Sequence, residues 1–406
     1  CEGGGLMSGP VKLALVGCGG ISQAHVRGYA DLYERGCRKF EVTACCDVNA
    51  ASAEVRAGEI AAFQGSMPQV FLDVERMVEA GVAEAADLCL PHCFHHSVAI
   101  PLLEADVHVL LEKPVGITVK ASRRIIEAAQ RSGCVLATAE NVRRYLPARA
   151  CAWAINEWGL IGDVRLVDVQ MIMHRPFDYT EAAAKWRGIK RLTGGGMIMD
   201  SGAHFADMVQ VLFGEVDEVF CTMDTYDDRL IEGAPVVGDA RADVEDTWHA
   251  VIRFVSGTYV TWTYSRSLYG TEVRLGNYYG SAGTMHDQGF VFHPFQGGGQ
   301  AVLADGTQVS RQQIEQAYQD SLDEAERERL FPYGSADGFA IEVWDCCRAV
   351  ATGAQPEMDG EAGMRAKALC ETCYESATAG RPVKYAEVLQ GTVDAYQKPI
   401  DAFWGI

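Results

Sequence analysis

Hydrophobic and polar positions follow two different patterns along the 406-residue chain. Between Val11 and about Thr138, short β-rich apolar runs alternate with longer segments that carry apolar residues at spacings of three and four. This order is typical of a doubly wound parallel sheet covered by helices, which we expect over residues 11–143. The predicted strands are Lys12–Val16, Glu41–Cys46, Ala86–Leu90, His108–Leu111 and Val135–Thr138, and the predicted helices include Ala51–Phe63, Ser97–Glu104 and Val119–Arg131.

The pattern changes after Arg144. Pro147 opens a predicted helix through Glu157, and Asp163–His174 then alternates polar and apolar residues as a half-buried strand does. We expect residues 144–406 to form an α+β domain with a large, mainly antiparallel open sheet. Its other predicted elements are a helix at Ser201–Phe213 and strands at Glu218–Tyr226, Thr247–Val255, Thr258–Ser265 and Thr271–Gly276.

Several segments carry weaker patterns. Asp227–Asp243 is expected to be a long surface loop, and Gly289–Gly306 a loop that ends the sheet. Residues 1–10 are expected to be a flexible N-terminal segment that comes in part from cloning, with Met7 as the native initiator. Three helices are predicted to follow, at Arg311–Arg329, Gly338–Thr352 and Glu361–Gly380.

Composition and charge exclude several kinds of partner. The chain is 48% hydrophobic and 22% charged, within the globular range, and its net charge of -20 repels phosphate backbones and anionic lipid surfaces. Its start lacks the pattern of a signal peptide, and no apolar run is long enough to span a bilayer. We expect a cytoplasmic protein that binds neither nucleic acid nor membrane.

Fourteen cysteines could indicate disulfides or a metal site. A chain of this length does not need disulfides to be stable, and many of the cysteines lie inside apolar runs. Cys370 and Cys373 form a C-x-x-C pair within a helical pattern, without a second pair or histidines at the spacing of a zinc site. We expect buried free thiols in a reducing compartment and no bound metal.

A glycine-rich turn directly follows the first predicted strand and precedes a helical segment. Gly17 permits a tight turn, Gly19 lets the backbone approach a pyrophosphate, and Gly20 and Ile21 continue toward the helix N-terminus, whose N–H groups favour phosphate. Ser22 occupies the place of the third glycine and is small enough for close packing. Because strand, turn and helix occur in the required order, this segment predicts a dinucleotide-binding site.

An acidic residue, Asp47, closes the second predicted strand. A carboxylate there accepts hydrogen bonds from both hydroxyls of the adenosine ribose and repels a 2′-phosphate. The next several residues contain no Arg or Lys that could bind such a phosphate. NAD is therefore favoured over NADP.

Three blocks of sequence resemble the glucose–fructose oxidoreductase, inositol dehydrogenase and MocA family of sugar and polyol dehydrogenases. The first is the glycine-rich turn, the second runs from Pro91–His96 to Val109–Pro114 with its Glu-Lys-Pro end, and the third is Gly194–Asp207, with three glycines before Asp, Gly, His and Asp. The resemblance covers essentially the whole chain, except that residues 289–333 depart as an insertion.

The resemblance implies an NAD-binding first domain with a Rossmann fold, whose nicotinamide faces the sheet of the second domain. Lys113, Asp200 and His204 match the catalytic trio of the family. Oxidation of a secondary alcohol needs a base for the hydroxyl proton and a cation to hold the oxygen, and His204 and Lys113 provide these groups. Asp200 lies four residues before His204, so on a helix both share one face, and the glycines before them would let a substrate approach the backbone.

Further candidate residues have less specific signals. Pro91, Glu112 and His96 match cofactor-binding or supporting positions of the family, although His96 could equally cap a helix. Pocket candidates near the domain junction and before the glycines are Asn141, Arg144, Trp186 and Arg187. A third set consists of aromatic residues that could stack on a sugar ring, although such residues on a sheet are more typical of core or subunit contacts. Its members are Trp262, Tyr264, Tyr269, Tyr278 and Tyr279.

The sequence therefore predicts an NAD-dependent dehydrogenase that oxidises a secondary hydroxyl of a sugar, glycoside or cyclitol. One alternative is an NAD-dependent glycosidase that oxidises its sugar transiently, and another is a non-catalytic dinucleotide or sugar sensor. A large sheet with one face free of helices also favours a homodimer or homotetramer.

Overall fold

A computed structural model describes residues 9–406, apart from the side chain of Ala182, and the first eight residues of the predicted N-terminal segment lie outside it. The chain forms two compact units. Unit 1 comprises residues 9–117, 121–144 and 324–364, and unit 2 comprises residues 118–120, 145–323 and 365–406.

The elements within the described residues alternate first between strand and helix and later between several strands and several helices. The strands are β1 (Val11–Val16), β2 (Phe40–Cys46), β3 (Gln69–Phe71), β4 (Ala85–Leu88), β5 (His108–Glu112), β6 (Leu136–Ala139), β7 (Val164–Ile172), β8 (Val216–Asp224), β9 (Leu230–Ala234), β10 (Gly238–Arg241), β11 (Thr247–Phe254), β12 (Tyr259–Ser265), β13 (Val273–Gly280), β14 (Gly283–Asp287), β15 (Gly299–Leu303), β16 (Gln308–Val309) and β17 (Val383–Lys384). The α-helices are α1 (Ser22–Glu34), α2 (Ala50–Gln64), α3 (Val74–Glu79), α4 (His95–Glu104), α5 (Val119–Ser132), α6 (Leu146–Asn156), α7 (Ala182–Lys185), α8 (Lys190–Thr193), α9 (Gly202–Phe213), α10 (Arg311–Ser321), α11 (Glu324–Leu330), α12 (Gly338–Thr352), α13 (Gly360–Ala379), α14 (Tyr385–Leu389) and α15 (Lys398–Trp404).

Unit 1 contains the predicted parallel sheet, with the strand order β3-β2-β1-β4-β5-β6. Strands β1, β4, β5 and β6 are buried on both faces, which explains their nearly continuous apolar runs. The strand order reverses between β1 and β4, so both strands end at the place where such sheets bind ligands. The Rossmann-type fold predicted for the N-terminal domain is confirmed.

Unit 1 also contains a segment that the sequence analysis assigned to the second domain. Helix α12 packs along α1, and a Cβ on Gly28 would lie 2.8 Å from the backbone nitrogen of Ala340. Residues 324–364 thus pack within unit 1, whereas the sequence analysis placed them in the domain of residues 144–406, which remains a prediction. The apolar pattern of α12 predicts that it is buried but not which sheet it covers.

Unit 2 contains a nine-stranded sheet in the order β16-β15-β14-β13-β7-β12-β11-β8-β17. Its neighbouring strands pair antiparallel, except that β7 and β12 run parallel. The predicted α+β domain with a large, mainly antiparallel sheet is thus confirmed. Buried aromatic side chains of β11 and β12 pack against α9, where the rings of Trp262 and Phe205 stack with centroids 4.5 Å apart.

Three local predictions in unit 2 and its connection to unit 1 are wrong. The expected loop at Asp227–Asp243 contains the hairpin of β9 and β10, and the expected end of the sheet within Gly289–Gly306 contains β15, which pairs with β14. The helix predicted at Arg311–Arg329 is divided into α10 and α11, because Leu322 adopts an extended conformation between them. No helix in residues 9–406 has the length and apolar character needed to cross a membrane.

Candidate active site

The glycine-rich turn between β1 and α1 has the shape of a phosphate-binding loop. Gly17 has a φ of +88°, and a Cβ at this position would lie 2.4 Å from the carbonyl oxygen of Cys89, so only glycine fits. Nothing lies within 4 Å of the Cβ positions of Gly19 and Gly20, and Ile21 is exposed, so the outer side of the turn is open to a ligand. The buried Ser22 bonds to the Gly19 carbonyl oxygen at 2.6 Å, which fixes the first turn of α1. This cradle fits a dinucleotide pyrophosphate at a helix N-terminus.

Asp47 lies at the end of β2, beside the same turn. Its carboxylate accepts hydrogen bonds from the backbone N–H groups of Cys18 at 2.7 Å and Asn49 at 2.8 Å. A carboxylate has acceptor capacity beyond two such bonds, so Asp47 can still accept from ribose hydroxyls. Arg56 of α2 also reaches this region, since its Nε donates to Ser22 Oγ at 3.0 Å while its guanidinium pairs with Glu59. The sequence analysis missed Arg56 because it considered only the residues directly after Asp47, and Arg56 lies further along the chain, within α2.

Lys113 directly follows β5, at the carboxyl edge of the parallel sheet. Glu112 fixes this position, because its carboxylate accepts a hydrogen bond from the backbone N–H of Lys113 at 3.0 Å. His95 holds the next residue in place: its two ring nitrogens lie 2.8 Å from the carbonyl oxygen of Pro114 and 2.9 Å from that of Leu90. The half-buried Lys113 is therefore carried by a rigid backbone turn.

A buried cluster of ionisable side chains lies behind Glu112. His25 of α1 contacts Asp87 through Nδ1 at 2.8 Å and Glu112 through Nε2 at 3.1 Å, and Tyr29 donates a hydrogen bond to Asp87. Glu342 of α12 approaches His25 Nε2 at 3.8 Å, and its two carboxyl oxygens make no hydrogen bond. We call His25, Tyr29, Asp87, Glu112 and Glu342 the His25 cluster; it connects α1, β4, β5 and α12 to the turn that carries Lys113.

Electrostatics in the His25 cluster favours a protonated histidine. Burial lowers the pKa of His25, but the charges and hydrogen bonds of Asp87 and Cys89 together raise it more, so the net pKa lies well above its ordinary value. Only a protonated imidazole can donate to two carboxylates at once. Burial raises the pKa of Glu342 well above its usual range, so this carboxyl group is expected to be neutral.

His25, Asp87 and Cys89 also bring potential metal ligands within 4.8 Å of one another. Both ring nitrogens of His25 already contact carboxylates, so a cation would have to displace these hydrogen bonds. The arrangement fits a protonated histidine better than a metal centre. The sequence analysis missed His25 and Asp87, although His25 lies on the same apolar face of α1 as Tyr29 and Leu32.

In unit 2, Asp200 and His204 lie at the start of α9. His204 is in the first turn of the helix and is 8% exposed, whereas Asp200 lies in the turn that precedes it. The expectation that both occupy one helix is therefore wrong, because the helix begins only at Gly202. Asp200 instead pairs with Arg187 at 3.2 Å, and the guanidinium of Arg187 covers the ring of Trp186 at 4.5 Å. Three of the predicted residues thus form one contiguous group.

The glycine segment Gly194–Gly196 is buried and does not offer its backbone to a substrate, contrary to the sequence-based expectation. A Cβ on Gly195 would lie 2.1 Å from Tyr374 Oη, and one on Gly196 would lie 2.4 Å from the Glu245 carbonyl oxygen. The Glu245 carboxylate accepts hydrogen bonds from the N–H groups of Gly196 at 2.8 Å and Ile198 at 2.9 Å and from Tyr374 Oη at 2.9 Å. Glu245 therefore fixes the segment that leads to Asp200.

Buried acids in this part of unit 2 have raised pKa values. Burial raises the pKa of Glu245 to about 7, although its three hydrogen-bond donors lower it. Burial also raises the pKa of Glu371 to about 7, opposed by Lys367, whose ammonium group lies 2.8 Å from the carboxylate. Nothing in the local sequence around Glu245 predicts its burial, so the pattern analysis did not find it.

The other predicted site residues of unit 1 differ in exposure. Pro91 is half-buried before a short 3-10 turn, and the half-buried His96 lies in α4, where burial lowers its pKa. Asn141 is half-buried after β6. Arg144 is only 1% exposed and pairs with Asp345 at 3.2 Å and Glu357 at 3.3 Å, which favours a structural role.

The aromatic series of unit 2 divides into core and surface residues. Trp262, Tyr264 and Tyr278 are buried in the core, as the more ordinary interpretation predicts. Tyr269 is 83% exposed and stacks on His174 with ring centroids 3.7 Å apart, and Tyr279 is partly exposed on β13. The three buried rings pack against other core rings and are not available to stack on a sugar.

The fold and these sites together define a dinucleotide-binding oxidoreductase. Residues 11–140 match the family model described as the oxidoreductase family, NAD-binding Rossmann fold, and residues 157–385 match the C-terminal alpha/beta domain of the same family. The chain belongs to the oxidoreductase family named after glucose–fructose oxidoreductase, inositol dehydrogenase and MocA, as the three sequence blocks predict.

Individual relatives are sugar dehydrogenases. The chain is 29% identical over 195 residues to levoglucosan dehydrogenase of Pseudarthrobacter phenanthrenivorans, covering 45% of this chain and 50% of that protein. It is 24% identical over 213 residues to D-glucoside 3-dehydrogenase of Escherichia coli, covering 52% and 56%, so these matches span about half the length of each relative. Among solved structures, levoglucosan dehydrogenase in complex with NADH and levoglucosan shares the fold, with a TM-score of 0.72 and 22% identity over 92% of this chain and 99% of that chain.

Proposed function

We propose that this protein transfers a hydride from a secondary hydroxyl-bearing carbon of a sugar, glycoside or cyclitol to NAD. The observation that carries the proposal is the position of Lys113, at the carboxyl edge of a sheet whose sequence matches the NAD-binding family model. The named relatives that act on levoglucosan and D-glucosides support the substrate class.

The chemistry assigns one role to each candidate residue. Bound NAD supplies the hydride acceptor. His204 takes the hydroxyl proton, the ammonium group of Lys113 holds the oxygen as the carbonyl forms, and Asp200, oriented by Arg187, binds a substrate hydroxyl. The proposal requires Lys113 and His204 to reach the same carbon.

The pyrophosphate is assigned to the turn at Gly17, Gly19 and Gly20, and the adenosine ribose to Asp47. The Asp47 carboxylate supports a preference for NAD over NADP, because it would repel a 2′-phosphate. Buried free thiols support a reducing, cytoplasmic location.

Self-association through the sheet of unit 2 also forms part of the proposal. Leu166, Tyr259 and Tyr279 are partly exposed on three adjacent strands, and the pairing register places Leu166 between the other two. Such a row of apolar side chains favours a homodimer or homotetramer. Sedimentation analysis tests this assignment: a monomer at micromolar concentration would contradict it.

A panel of monosaccharides, glycosides and inositols incubated with NAD tests the reaction. We expect formation of NADH, followed by its near-ultraviolet absorbance, with at least one member of the panel and without cleavage of a glycosidic bond. Bond cleavage without net NADH would favour the glycosidase alternative. Binding of NAD and sugar without either reaction would favour the sensor.

A further inference from the structure

The peptide between Gly19 and Gly20 lies in the middle of the glycine-rich turn, and a side chain holds it. The fully buried Ser22 donates a hydrogen bond from its hydroxyl to the Gly19 carbonyl oxygen at 2.6 Å, so this carbonyl points into unit 1. The Gly19–Gly20 peptide is trans, and in a trans peptide the C=O and N–H bonds point in opposite directions. The Gly20 N–H therefore points away from Ser22, toward the open side of the turn, where nothing lies within 4 Å of the Cβ positions of the two glycines.

The two flanking glycines would otherwise let this peptide rotate. Glycine adopts positive and negative φ about equally, so a half-turn of the Gly19–Gly20 peptide meets little steric resistance. The rotated peptide would present its carbonyl oxygen, the negative end of its dipole, to a pyrophosphate in place of the N–H. A glycine at the third position of the fingerprint has no side chain that could prevent this rotation, whereas Ser22 has one.

Arg56 of α2 fixes the direction of the hydrogen bond that Ser22 makes. Its Nε donates to Ser22 Oγ at 3.0 Å, and because a guanidinium only donates, the single hydroxyl proton of Ser22 is directed to Gly19. The positive charge also strengthens this chain of hydrogen bonds, since a charged donor polarises the hydroxyl that it contacts. Glu59 of the same helix pairs with the guanidinium, and the Arg56 side chain is only 12% exposed. Arg56 is thus itself held in place.

We propose that Ser22 and Arg56 together hold the Gly19–Gly20 peptide in the orientation that points its N–H toward the pyrophosphate of the cofactor. Ser22 contacts the turn directly, and Arg56 is a positioning residue that acts through Ser22. The inference rests on the proposed function, which assigns the pyrophosphate to this turn, and it gives serine a role at the place of the third glycine. It follows that a glycine at this position should weaken the binding of the cofactor.

Calorimetric titration with NAD and with ADP-ribose tests the inference, because both ligands carry the pyrophosphate. Ser22→Gly, Ser22→Ala and Arg56→Met should each raise the Kd of both ligands about three- to tenfold, which is the effect of losing one neutral hydrogen bond. Arg56→Met should cause no further loss in the Ser22→Gly background, because Arg56 acts through Ser22. Arg56→Lys should recover part of the affinity, since an ammonium group can still donate to the hydroxyl.

Two controls restrict the effect to the pyrophosphate and to this arginine. Adenosine lacks the pyrophosphate and should bind to every variant as it binds to the wild type. Arg76→Met removes a comparable pair from α3, where Arg76 lies 2.8 Å from Glu79, and should leave the Kd of NAD unchanged. Thermal unfolding without ligand shows which variants are folded; Ser22→Ala, which keeps a good helix former at the start of α1, provides the test if Ser22→Gly is not.

Three results would contradict the inference in different ways. Unchanged Kd values in the Ser22 variants, or a full additional loss from Arg56→Met in the Ser22→Gly background, would overturn it, while binding of NAD by the wild type leaves the proposed function intact. A loss in Arg56→Met that is confined to NADP would also overturn it, because Arg56 would then bind a 2′-phosphate directly. A wild type that binds neither NAD nor ADP-ribose would overturn the proposed function and the inference with it.

Discussion

Both units keep a buried carboxylate behind a candidate catalytic residue, but the two carboxylates are stabilised in different ways. In unit 1, Glu112 accepts a hydrogen bond from the backbone N–H of Lys113. Glu112 and Asp87 also both contact the protonated ring of His25. In unit 2, Glu245 holds the segment before Asp200 through two N–H groups and one phenol. The first arrangement depends on a buried cation and the second on neutral dipoles, so they should respond differently to substitution and to pH.

The largest effects are expected at the side chain that the proposed function assigns to catalysis in each unit. Lys113→Ala should lower turnover about 100-fold or more, and His204→Ala roughly 100- to 10,000-fold, because each removes a group that acts in the transition state. Affinity for NAD should persist in both. Turnover is measured as NADH formation, and Lys39→Ala and His249→Ala, which change exposed side chains, serve as controls. Near-normal turnover in either active-site variant would remove that residue from the mechanism.

Removal of the buried cation should distinguish unit 1 from unit 2. His25→Leu leaves Asp87 and Glu112 buried without their histidine partner, and we expect the free energy of unfolding to fall by about 3–5 kcal/mol. Glu342→Gln should lower the free energy of unfolding far less, because burial already favours the neutral form of this carboxyl group. Thermal unfolding at constant pH measures both. If the two variants lose the same stability, the protonated His25 does not compensate the buried acids.

The pH dependence of stability should report on Glu245. Its pKa is about 7 in the folded protein against an ordinary 4.5, so the stability it contributes is complete below about pH 4.5 and is lost as the pH rises through about 7. The difference corresponds to roughly 3 kcal/mol. Unfolding followed from pH 5 to pH 8 should therefore show a shallower decline in Glu245→Gln than in the wild type.

Glu371→Gln provides the matched control for Glu245. Its pKa is also raised to about 7, so this variant should flatten the pH profile as well. Glu245 bonds directly to the segment that leads to Asp200, whereas Glu371 reaches Met199 only through Lys367, so Glu245→Gln should raise KM for the sugar more than Glu371→Gln does. An unchanged pH profile in Glu245→Gln would contradict the raised pKa.

The smallest expected effect concerns the choice of cofactor. The wild type should use NAD at least about tenfold better than NADP, a difference of about 1.4 kcal/mol, and Asp47→Ser should narrow this gap. Titration with both cofactors measures this gap, with Asp73→Ser, at the N-cap of α3, as a control for the loss of a carboxylate elsewhere. Equal affinity of the wild type for NAD and NADP would show that Asp47 does not select the cofactor.

The sequence predicts the backbone of unit 1 well because its signals are local. The five predicted strands lie within two residues of β1, β2, β4, β5 and β6, since each is a short apolar run between helical patterns. Strand β3 has only three residues, two of them exposed, and so carries no such signal. In unit 2, β9 and β10 form a hairpin that was not predicted, because their glycines and acidic residues interrupt the alternating pattern of a strand.

The residues of the candidate site likewise fall into those that local sequence motifs predict and those that they do not. Lys113, Asp200, His204 and Asp47 follow from motifs of adjacent residues, and the structure places them at strand ends or at the start of a helix. His25 and Glu245 depend on partners that are 49 or more residues away in sequence. Alternation of polar and apolar residues does not predict which polar side chains will be buried together.

Helix α12 has a consequence for how the chain is made. During synthesis, residues 9–144 leave the ribosome long before α12 is made. Nearly two hundred further residues must be added before α12 can cover α1 and bring Glu342 to His25. Until then the apolar face of α1 and the buried acids of the His25 cluster are open to solvent and to other chains. Most of unit 2 emerges in this interval, so an intervening domain is synthesised before the first one can be completed.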